Sequence, residues 1–348
     1  MRFFYVDRVV AIAVALLAGC AGAPTTRVQS VPQVQHRAGT QCPCLYVANA
    51  IYKGKTDTPR ITVYAQGASG NMPPLQEIKG RNTDLDYPYG VAVDGSDNIY
   101  VANFDSSVTV YAAGATGNVA PAATISGSNT GLLVPQGIAI NPVNADIYVS
   151  NWSENSSAGD SITFYAPGSN GNVSPLGVIQ GPATQLTHPY GLTLDGNGNI
   201  YVALGPSNAI AVYAAGSTGD VAPIRMLQGG LTEMSGPTGV ALDSNLNLYV
   251  ANYSNGSDSD SLTVYAAGAN GNVAPIQRIA GGRTKLDNPL GVAVDSGGNI
   301  YASNLYARSG NPSTVTVYAA GSNGNKAPIR KITGYKTGLA GPYGIVIH

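Results

Sequence analysis

The chain has 348 residues, with 18 Lys and Arg against 19 Asp and Glu, so its formal net charge is −1. Charged residues make up only 11% of the chain. This argues against nucleic-acid binding, because clustered basic side chains are needed to neutralise phosphates. Tyr is abundant, at 21 copies, and Gly reaches 44. Tyrosine favours strands and glycine favours turns, so the composition predicts an all-β protein with many tight turns.

The N-terminus has the pattern of a secretory signal. Arg2 and Arg8 precede an apolar run, Val9 to Leu16, that is shorter than the ~20 residues needed to span a bilayer. The run ends in Leu17-Ala18-Gly19-Cys20, which resembles the lipobox of bacterial lipoproteins. The resemblance implies a signal peptide at 1–19, lipid attachment at Cys20, and a membrane-anchored protein of the cell envelope, periplasmic or at the cell surface. An ordinary secretory signal cut elsewhere is the alternative.

Residues 20–43 show no apolar period and contain scattered prolines and polar groups. This composition predicts a flexible tether between the membrane and a folded domain. Its end holds Cys42 and Cys44 around Pro43. They are either a structural or incidental pair, oxidised in an oxidising compartment, or a redox or metal pair.

A unit of about 50 residues repeats six times. Each copy contains the triplet Pro-x-Gly followed by an apolar run, at Pro88, Pro135, Pro189, Pro237, Pro289 and Pro342. The fullest copy has four short strand patterns separated by turns: Gly90 to Val93, Ile99 to Asn103, Val108 to Tyr111 and Ala122 to Ile125. Both faces of such a sheet are apolar, so each sheet needs partners on both sides. Radial stacking provides them, which predicts a six-bladed β-propeller of four-stranded blades over residues 44–348.

The two ends of the repeat array complement each other. The first copy begins at its second strand, Leu45 to Asn49, and its missing first strand is at the C-terminus, Gly344 to Ile347. We expect the C-terminal strand to pair with the N-terminal blade and close the ring.

The segment Gly291 to Tyr301, Gly-Val-Ala-Val-Asp-Ser-Gly-Gly-Asn-Ile-Tyr, resembles the NHL repeat. The resemblance implies a six-bladed propeller. Related architectures include lactonases of the SMP-30/gluconolactonase type, lyases and noncatalytic binding domains. The chain departs from many NHL repeats, which have Arg at the start of the third strand, because Ser107, Ser161, Ala209 and Ser261 stand just before that strand here.

In a propeller, the connections between strands two and three and from strand four to the next strand one emerge on one face. The two-to-three connections vary most in length along this chain, so we expect ligands there. The aromatic side chains predicted to bind a ligand are Tyr52, Tyr89, Phe104, Trp152, Tyr190, Tyr253, Tyr306 and Tyr343. They suit a protein, peptide or carbohydrate partner; alternatively, the rings only seal the blade tops.

Polar candidates are fewer. His188 is the one well-placed general base, with a packing or capping role as the alternative. Asp258 with Asp260 is a candidate calcium site, and a solvated acidic loop is the alternative. Two repeated positions read either as ligands or as turn residues: the asparagine ending strand two (Asn49, Asn103, Asn151, Asn252, Asn304) and the aspartate after strand one (Asp94, Asp195, Asp243, Asp295).

The expectation is a noncatalytic, membrane-anchored binding propeller. The alternatives are a metal-dependent lactonase-like hydrolase or lyase, with calcium or zinc at the channel mouth, and a purely structural envelope protein.

Overall fold

A computed structural model describes residues 43–50, 58–153, 159–254, 260–305 and 313–348. The predicted signal peptide, nearly all of the tether, and Cys20, Tyr52, Asp258 and Tyr306 lie outside the described residues. Across the described ranges, no helix has the length and apolar character needed to cross a bilayer.

The chain forms six antiparallel sheets of four strands each, which confirms the predicted propeller. The strands of the first half are β1 Cys44–Asn49, β2 Arg60–Ala65, β3 Gln76–Lys79, β4 Pro88–Val93, β5 Ile99–Asn103, β6 Ser107–Tyr111, β7 Ala123–Ser126, β8 Pro135–Ile140, β9 Ile147–Asn151, β10 Ser161–Tyr165, β11 Gly177–Ile179 and β12 Pro189–Leu194. Those of the second half are β13 Ile200–Leu204, β14 Ala209–Tyr213, β15 Arg225–Gln228, β16 Pro237–Leu242, β17 Leu248–Asn252, β18 Ser261–Tyr265, β19 Gln277–Ala280, β20 Pro289–Val294, β21 Ile300–Asn304, β22 Thr314–Tyr318, β23 Arg330–Thr333 and β24 Pro342–Ile347.

We number the blades along the chain, so that blade 1 holds β24, β1, β2 and β3, and blades 2 to 6 take the remaining strands in consecutive groups of four. Short 3₁₀ turns lie between blades at Arg81–Thr83, Pro182–Thr184 and Gly230–Thr232. Each first strand begins at the proline of the Pro-x-Gly triplet, two residues before the predicted start.

The ring closes by pairing the two ends of the repeat array, which agrees with the expected closure. In blade 1, β24 pairs with β1 in antiparallel register, with Leu45 opposite Ile347 and Val47 opposite Ile345. The backbones of Cys44 and His348 exchange two hydrogen bonds, of 2.7 and 3.0 Å. Every blade therefore has its full set of four strands.

The six glycines of the triplets form a ring around the central axis. A Cβ added to Gly239 would lie 2.6 Å from the carbonyl oxygen of Leu290 in the next blade, and one on Gly137 would lie 2.7 Å from that of Tyr190. Real Cβ contacts are not that short. The glycines recur because the innermost strands of neighbouring blades approach each other backbone to backbone, which a side chain would prevent.

Hydrophobic cores fill the spaces between blades, and buried tyrosines mark each of them. In five blades the last residue of strand three is a tyrosine, and in blade 1 the tyrosine is the fifth of the six residues of that strand. These tyrosines are Tyr64, Tyr111, Tyr165, Tyr213, Tyr265 and Tyr318. All six are at most 1% exposed. Each hydroxyl donates to a threonine carbonyl in the connection that leads into its own blade, as from Tyr213 to Thr184 at 2.7 Å. Burial raises the pKa of Tyr165 to about 12, so the phenol stays a hydrogen-bond donor at neutral pH.

The outer strand of each blade is covered by the following blade. A Gly-Asn or Gly-Asp segment between strands three and four forms a parallel bridge with the preceding blade's outer strand, as Gly117 does with Ile78. The adjacent Asn118 Oδ1 accepts the backbone N–H of Asn82, 2.8 Å away, in the connection between the two blades. We call this repeated arrangement the outer clasp. It covers edge groups that would otherwise be open to pairing with another chain.

Candidate functional site

Three register positions distinguish the blades on the variable face, which we define as the face formed by the two-to-three and four-to-one connections. They are the residue before the Pro-x-Gly proline, the middle residue of the triplet, and the residue after strand two. In blades 1 to 6 the first is Gly341, Tyr87, Val134, His188, Gly236 and Asn288; the second is Tyr343, Tyr89, Gln136, Tyr190, Thr238 and Leu290; the third is Ala50, Phe104, Trp152, Gly205, Tyr253 and Leu305. Most flanking positions repeat, so chemical variety concentrates here.

The residue before each proline is held in a left-handed backbone conformation, with φ between 41° and 65° in all six blades. This conformation is uncommon for residues with a side chain and needs support from the surroundings. In five blades the support is a hydrogen bond that its backbone N–H donates to the side chain just before strand three of the preceding blade: Val134 to Ser106, His188 to Asp160, Gly236 to Asn208, Asn288 to Asp260 and Gly341 to Ser313. The rim of the channel is therefore fixed from blade to blade.

Asp260, a candidate calcium ligand, belongs to this supporting set. Its Oδ2 accepts the N–H of Asn288 at 2.8 Å, and its Oδ1 accepts both the N–H and the hydroxyl of Ser254. Asp160 makes the same kind of link to His188 and Ser153. In the described part of the chain, no group of three or more His, Cys, Asp or Glu side chains is arranged to hold a metal ion.

Blade 2 has an aromatic residue at all three variable positions. Tyr87 and Phe104 have ring centroids 6.1 Å apart, and Phe104 and Tyr89 lie 5.9 Å apart, both in edge-to-face geometry. Tyr89 also contacts Tyr343 of blade 1 at 4.5 Å. Tyr89 is only 6% exposed and lines the central channel, whereas Tyr87 is 44% exposed. We call Tyr87, Tyr89, Phe104 and Tyr343 the aromatic cluster; it both packs the rim and presents ring surface to solvent.

A second aromatic contact lies between blades 3 and 4. The rings of Trp152 and His188 are 5.3 Å apart and edge to face. The indole Nε1 of Trp152 is buried and has no hydrogen-bond acceptor in the structure described. The His188 backbone N–H is bound by Asp160, and its imidazole packs against Trp152.

The remaining predicted aromatic residues are spread around the rim. Tyr190 lies over Gly205, where an added Cβ would be 2.6 Å from its ring, and it packs against the core between blades 4 and 5. Tyr253 is half-buried, and its backbone N–H donates to Gly236 at 2.9 Å. The structure thus gathers Tyr89, Phe104 and Tyr343 into one cluster and leaves Trp152, Tyr190 and Tyr253 in other sectors.

The central channel is narrow because of the glycine ring. It is lined by the first strands of the six blades and leaves about 70 Å³ for water-sized molecules. Drug-sized ligands need cavities of roughly 300–1,000 Å³. The channel therefore has room for a few waters but not for a drug-sized ligand.

The repeated asparagines and aspartates are tied into the fold. Each asparagine at the end of strand two is at most 1% exposed, and its Nδ2 donates to a threonine hydroxyl on strand three, as Asn103 does to Thr109. Each aspartate after strand one accepts backbone N–H groups of its own hairpin, as Asp94 does from Ser96 and Asn98. These contacts give both sets a structural role within the blades.

Sequence reasoning passed over two neighbours of the aromatic cluster. Asp86 directly precedes Tyr87 and is half-buried, and Asp105 directly follows Phe104 and is exposed. The two segments are joined by the hydrogen bond from the Phe104 N–H to the Asp86 carbonyl, 3.0 Å. Burial, and then the nearby charge of Asp105, raise the pKa of the Asp86 carboxyl. Comparing the residues before each proline across the six repeats would have singled out Tyr87.

Comparisons with known proteins support the architecture. No protein-family model matches the chain, and no curated protein matches it. The fold is similar to that of a protein of unknown function from Bacteroides caccae, with a TM-score of 0.58, 12% identity, and coverage of 88% of this chain and 98% of that one. It is also similar to a protein from Lactobacillus plantarum, with a TM-score of 0.53, 13% identity, and coverage of 88% and 99%. At these identities the likeness shows the six-bladed propeller fold alone.

Proposed function

We propose that this chain is a noncatalytic binding propeller of the cell envelope that recognises a peptide, protein or carbohydrate partner through the aromatic cluster on its variable face. The observation that carries the proposal is blade 2, where all three variable positions are aromatic and Tyr87 remains 44% exposed. Aromatic rings supply large contact area with little conformational freedom to lose, which favours binding sites. The resemblance to NHL repeats is consistent with a binding scaffold. Membership of the NHL family stays a prediction.

The test is a binding screen with matched variants. Wild-type protein, Tyr87→Ala and Phe104→Ala are applied to arrays of soluble oligosaccharides and synthetic peptides. The control is Tyr335→Ala, because Tyr335 is 86% exposed and lies in the connection between blades 6 and 1. We expect array signals that the two cluster variants lose and the control retains. Signals that all four proteins share, or an array without any cluster-dependent signal, would count against this surface as the binding site.

The envelope location rests on the lipobox-like sequence around Cys20. We expect the full chain, expressed in a bacterial host, to fractionate with membranes and to require detergent for release. The Cys20→Ser variant should appear in the soluble fraction, since a lipid chain contributes about 0.8 kcal/mol of membrane affinity per buried methylene. Mass spectrometry of the mature N-terminus provides the direct check, because an unmodified Cys20 would refute the anchor.

A further inference from the structure

Two aspartates flank residues of the aromatic cluster in the chain. Asp86 directly precedes Tyr87 and Asp105 directly follows Phe104, and the rings of Tyr87 and Phe104 lie 6.1 Å apart in edge-to-face geometry. Asp105 is oriented by Ser107, whose hydroxyl donates to its Oδ1 at 2.6 Å. The Asp105 carboxylate therefore has a defined orientation.

Neither carboxylate has a basic partner within the described residues. The ion pairs found there join Arg60 to Glu77, Arg278 to Glu233 and His348 to Asp97, and none of them involves this pair. Two nearby carboxylates without a cation repel each other, and partial burial of Asp86 makes its ionised form more costly. A positive charge placed between them would relieve both effects.

The rings add a second attraction for the same kind of group. The faces of tyrosine and phenylalanine rings carry negative electrostatic potential and attract ammonium and guanidinium groups at up to about 6 Å. Tyr87 is exposed, Phe104 is half-buried, and both rings border the same short connections as the two carboxylates. Aromatic surface beside carboxylates that have no basic partner among the described residues suits a cation with an apolar stem better than it suits a neutral sugar.

We infer that the aromatic cluster binds an organic cation, an alkylammonium or guanidinium group, between Tyr87, Phe104 and the carboxylates of Asp86 and Asp105. This inference rests on the proposed function and names its ligand chemistry. The cation is carried either by a lysine or arginine side chain of a peptide or by a free amine. The apolar stem lies along the rings, and the charge lies at the carboxylates.

The experiment compares ligands that differ only in charge. Acetyl-Gly-Gly-Lys-Gly-Gly-amide and its norleucine counterpart are titrated into the full chain and followed by NMR or calorimetry, with n-butylammonium as the free-amine probe. We expect the lysine peptide to bind about tenfold more tightly than the norleucine peptide. Added salt should reduce this preference. Similar affinities for n-butylammonium and the lysine peptide would identify a free-amine site, and a clear advantage for the peptide would identify a peptide site.

Variants separate this inference from the proposed function. Asp86→Asn with Asp105→Asn should bring the ratio of lysine to norleucine affinity close to one while norleucine binding persists. Asp97→Asn removes one negative charge, half the change of the double variant, in a hairpin on the opposite face and should preserve the ratio. Thermal melts check that each variant is folded. Equal affinities in the wild type would overturn the cation inference but leave the aromatic surface in place, whereas binding that Tyr87→Ala leaves unchanged would overturn both.

Discussion

Asn304 donates a hydrogen bond from Nδ2 to the hydroxyl of Thr316, 3.2 Å away, in the interior of blade 6. The same pair recurs in five blades, and blade 4 replaces both members together, with Leu204 and Ala211. A buried polar group costs free energy when its partner is removed, whereas replacing both partners by apolar groups can be nearly neutral. Blade 4 is a natural double replacement of this kind.

Asn304→Leu should therefore lower the free energy of unfolding by about 2–4 kcal/mol, because the Thr316 hydroxyl and the Asp287 N–H lose their bonds to Asn304. Adding Thr316→Ala should recover about 1–2 kcal/mol, as one orphaned group disappears. Urea unfolding of the two single variants and the double variant measures the coupling. Simple addition of the two single losses would contradict the paired role.

Gly239 should not tolerate a side chain. Gly239→Ala would place a Cβ 2.6 Å from the Leu290 carbonyl oxygen and 2.8 Å from Gly291 Cα, and both are backbone atoms. Overpacking of this kind costs about 1–3 kcal/mol. Gly196→Ala is the control, because its Cβ would meet nothing within 4 Å. Equal melting temperatures for the two variants would show that the inner ring is looser than the structure indicates.

Deleting residues 342–348 should lower the melting temperature by more than about 10 °C. The strand β1 would lose its inner partner, and blade 1 would lose the strand that packs against its neighbouring blades. A permuted chain supplies the control. The deleted strand is placed before Cys44 and joined to it by a copy of the hairpin Asp94–Asn98. His348 and Cys44 are already hydrogen-bonded neighbours, so this chain should recover most of the loss. An unchanged melt after the deletion would refute closure through β24.

Asp295 should contribute to stability at neutral pH. Burial raises the pKa of its carboxyl, but hydrogen bonds from Asn299, Gln66 and Tyr301 outweigh burial and hold it below its usual value. A lowered folded-state pKa gives stability that is present above the unfolded-state value of about 3.9 and is lost as the pH falls through the folded-state value. Asp295→Asn should thus lower the free energy of unfolding by about 1–3 kcal/mol at pH 7, since the amide NH2 of the new side chain would meet groups that donate hydrogen bonds to the carboxylate.

The difference in stability between the wild type and Asp295→Asn should become smaller as the pH falls below about 4. Thermal melts from pH 7 to pH 3 measure it. Asp84→Asn is the control, because Asp84 is exposed and asparagine accepts its left-handed backbone. A difference that stays constant with pH would show that the hydrogen bonds act independently of the charge.

The repeat made the fold predictable, since Pro-x-Gly and four short strand patterns recur in each copy. The positions of the connections were predictable in outline, and the rings of Phe104 and Tyr89 do lie together, whereas a binding role for that face stays a prediction. Tyr87 was missed because the residue before a proline normally adopts an extended backbone, and here it is left-handed. The hydrogen-bond partners of the asparagines that end strand two were unpredictable for another reason. The Asn49 Oδ1 accepts the N–H of Ala340, a partner 291 residues away that only ring closure brings near.

The outer clasp has a consequence for how such a protein diversifies. It is built from the three-to-four and four-to-one connections, as with Asn118 and Asn82, and leaves the two-to-three connection out. That connection spans three residues after Asn103, 104–106, and nine after Asn304, 305–313, while both blades keep the same four-stranded sheet. Insertions that leave the residue before strand three in place can therefore accumulate in those loops without loosening the ring, which separates variation of the loops from the maintenance of the scaffold.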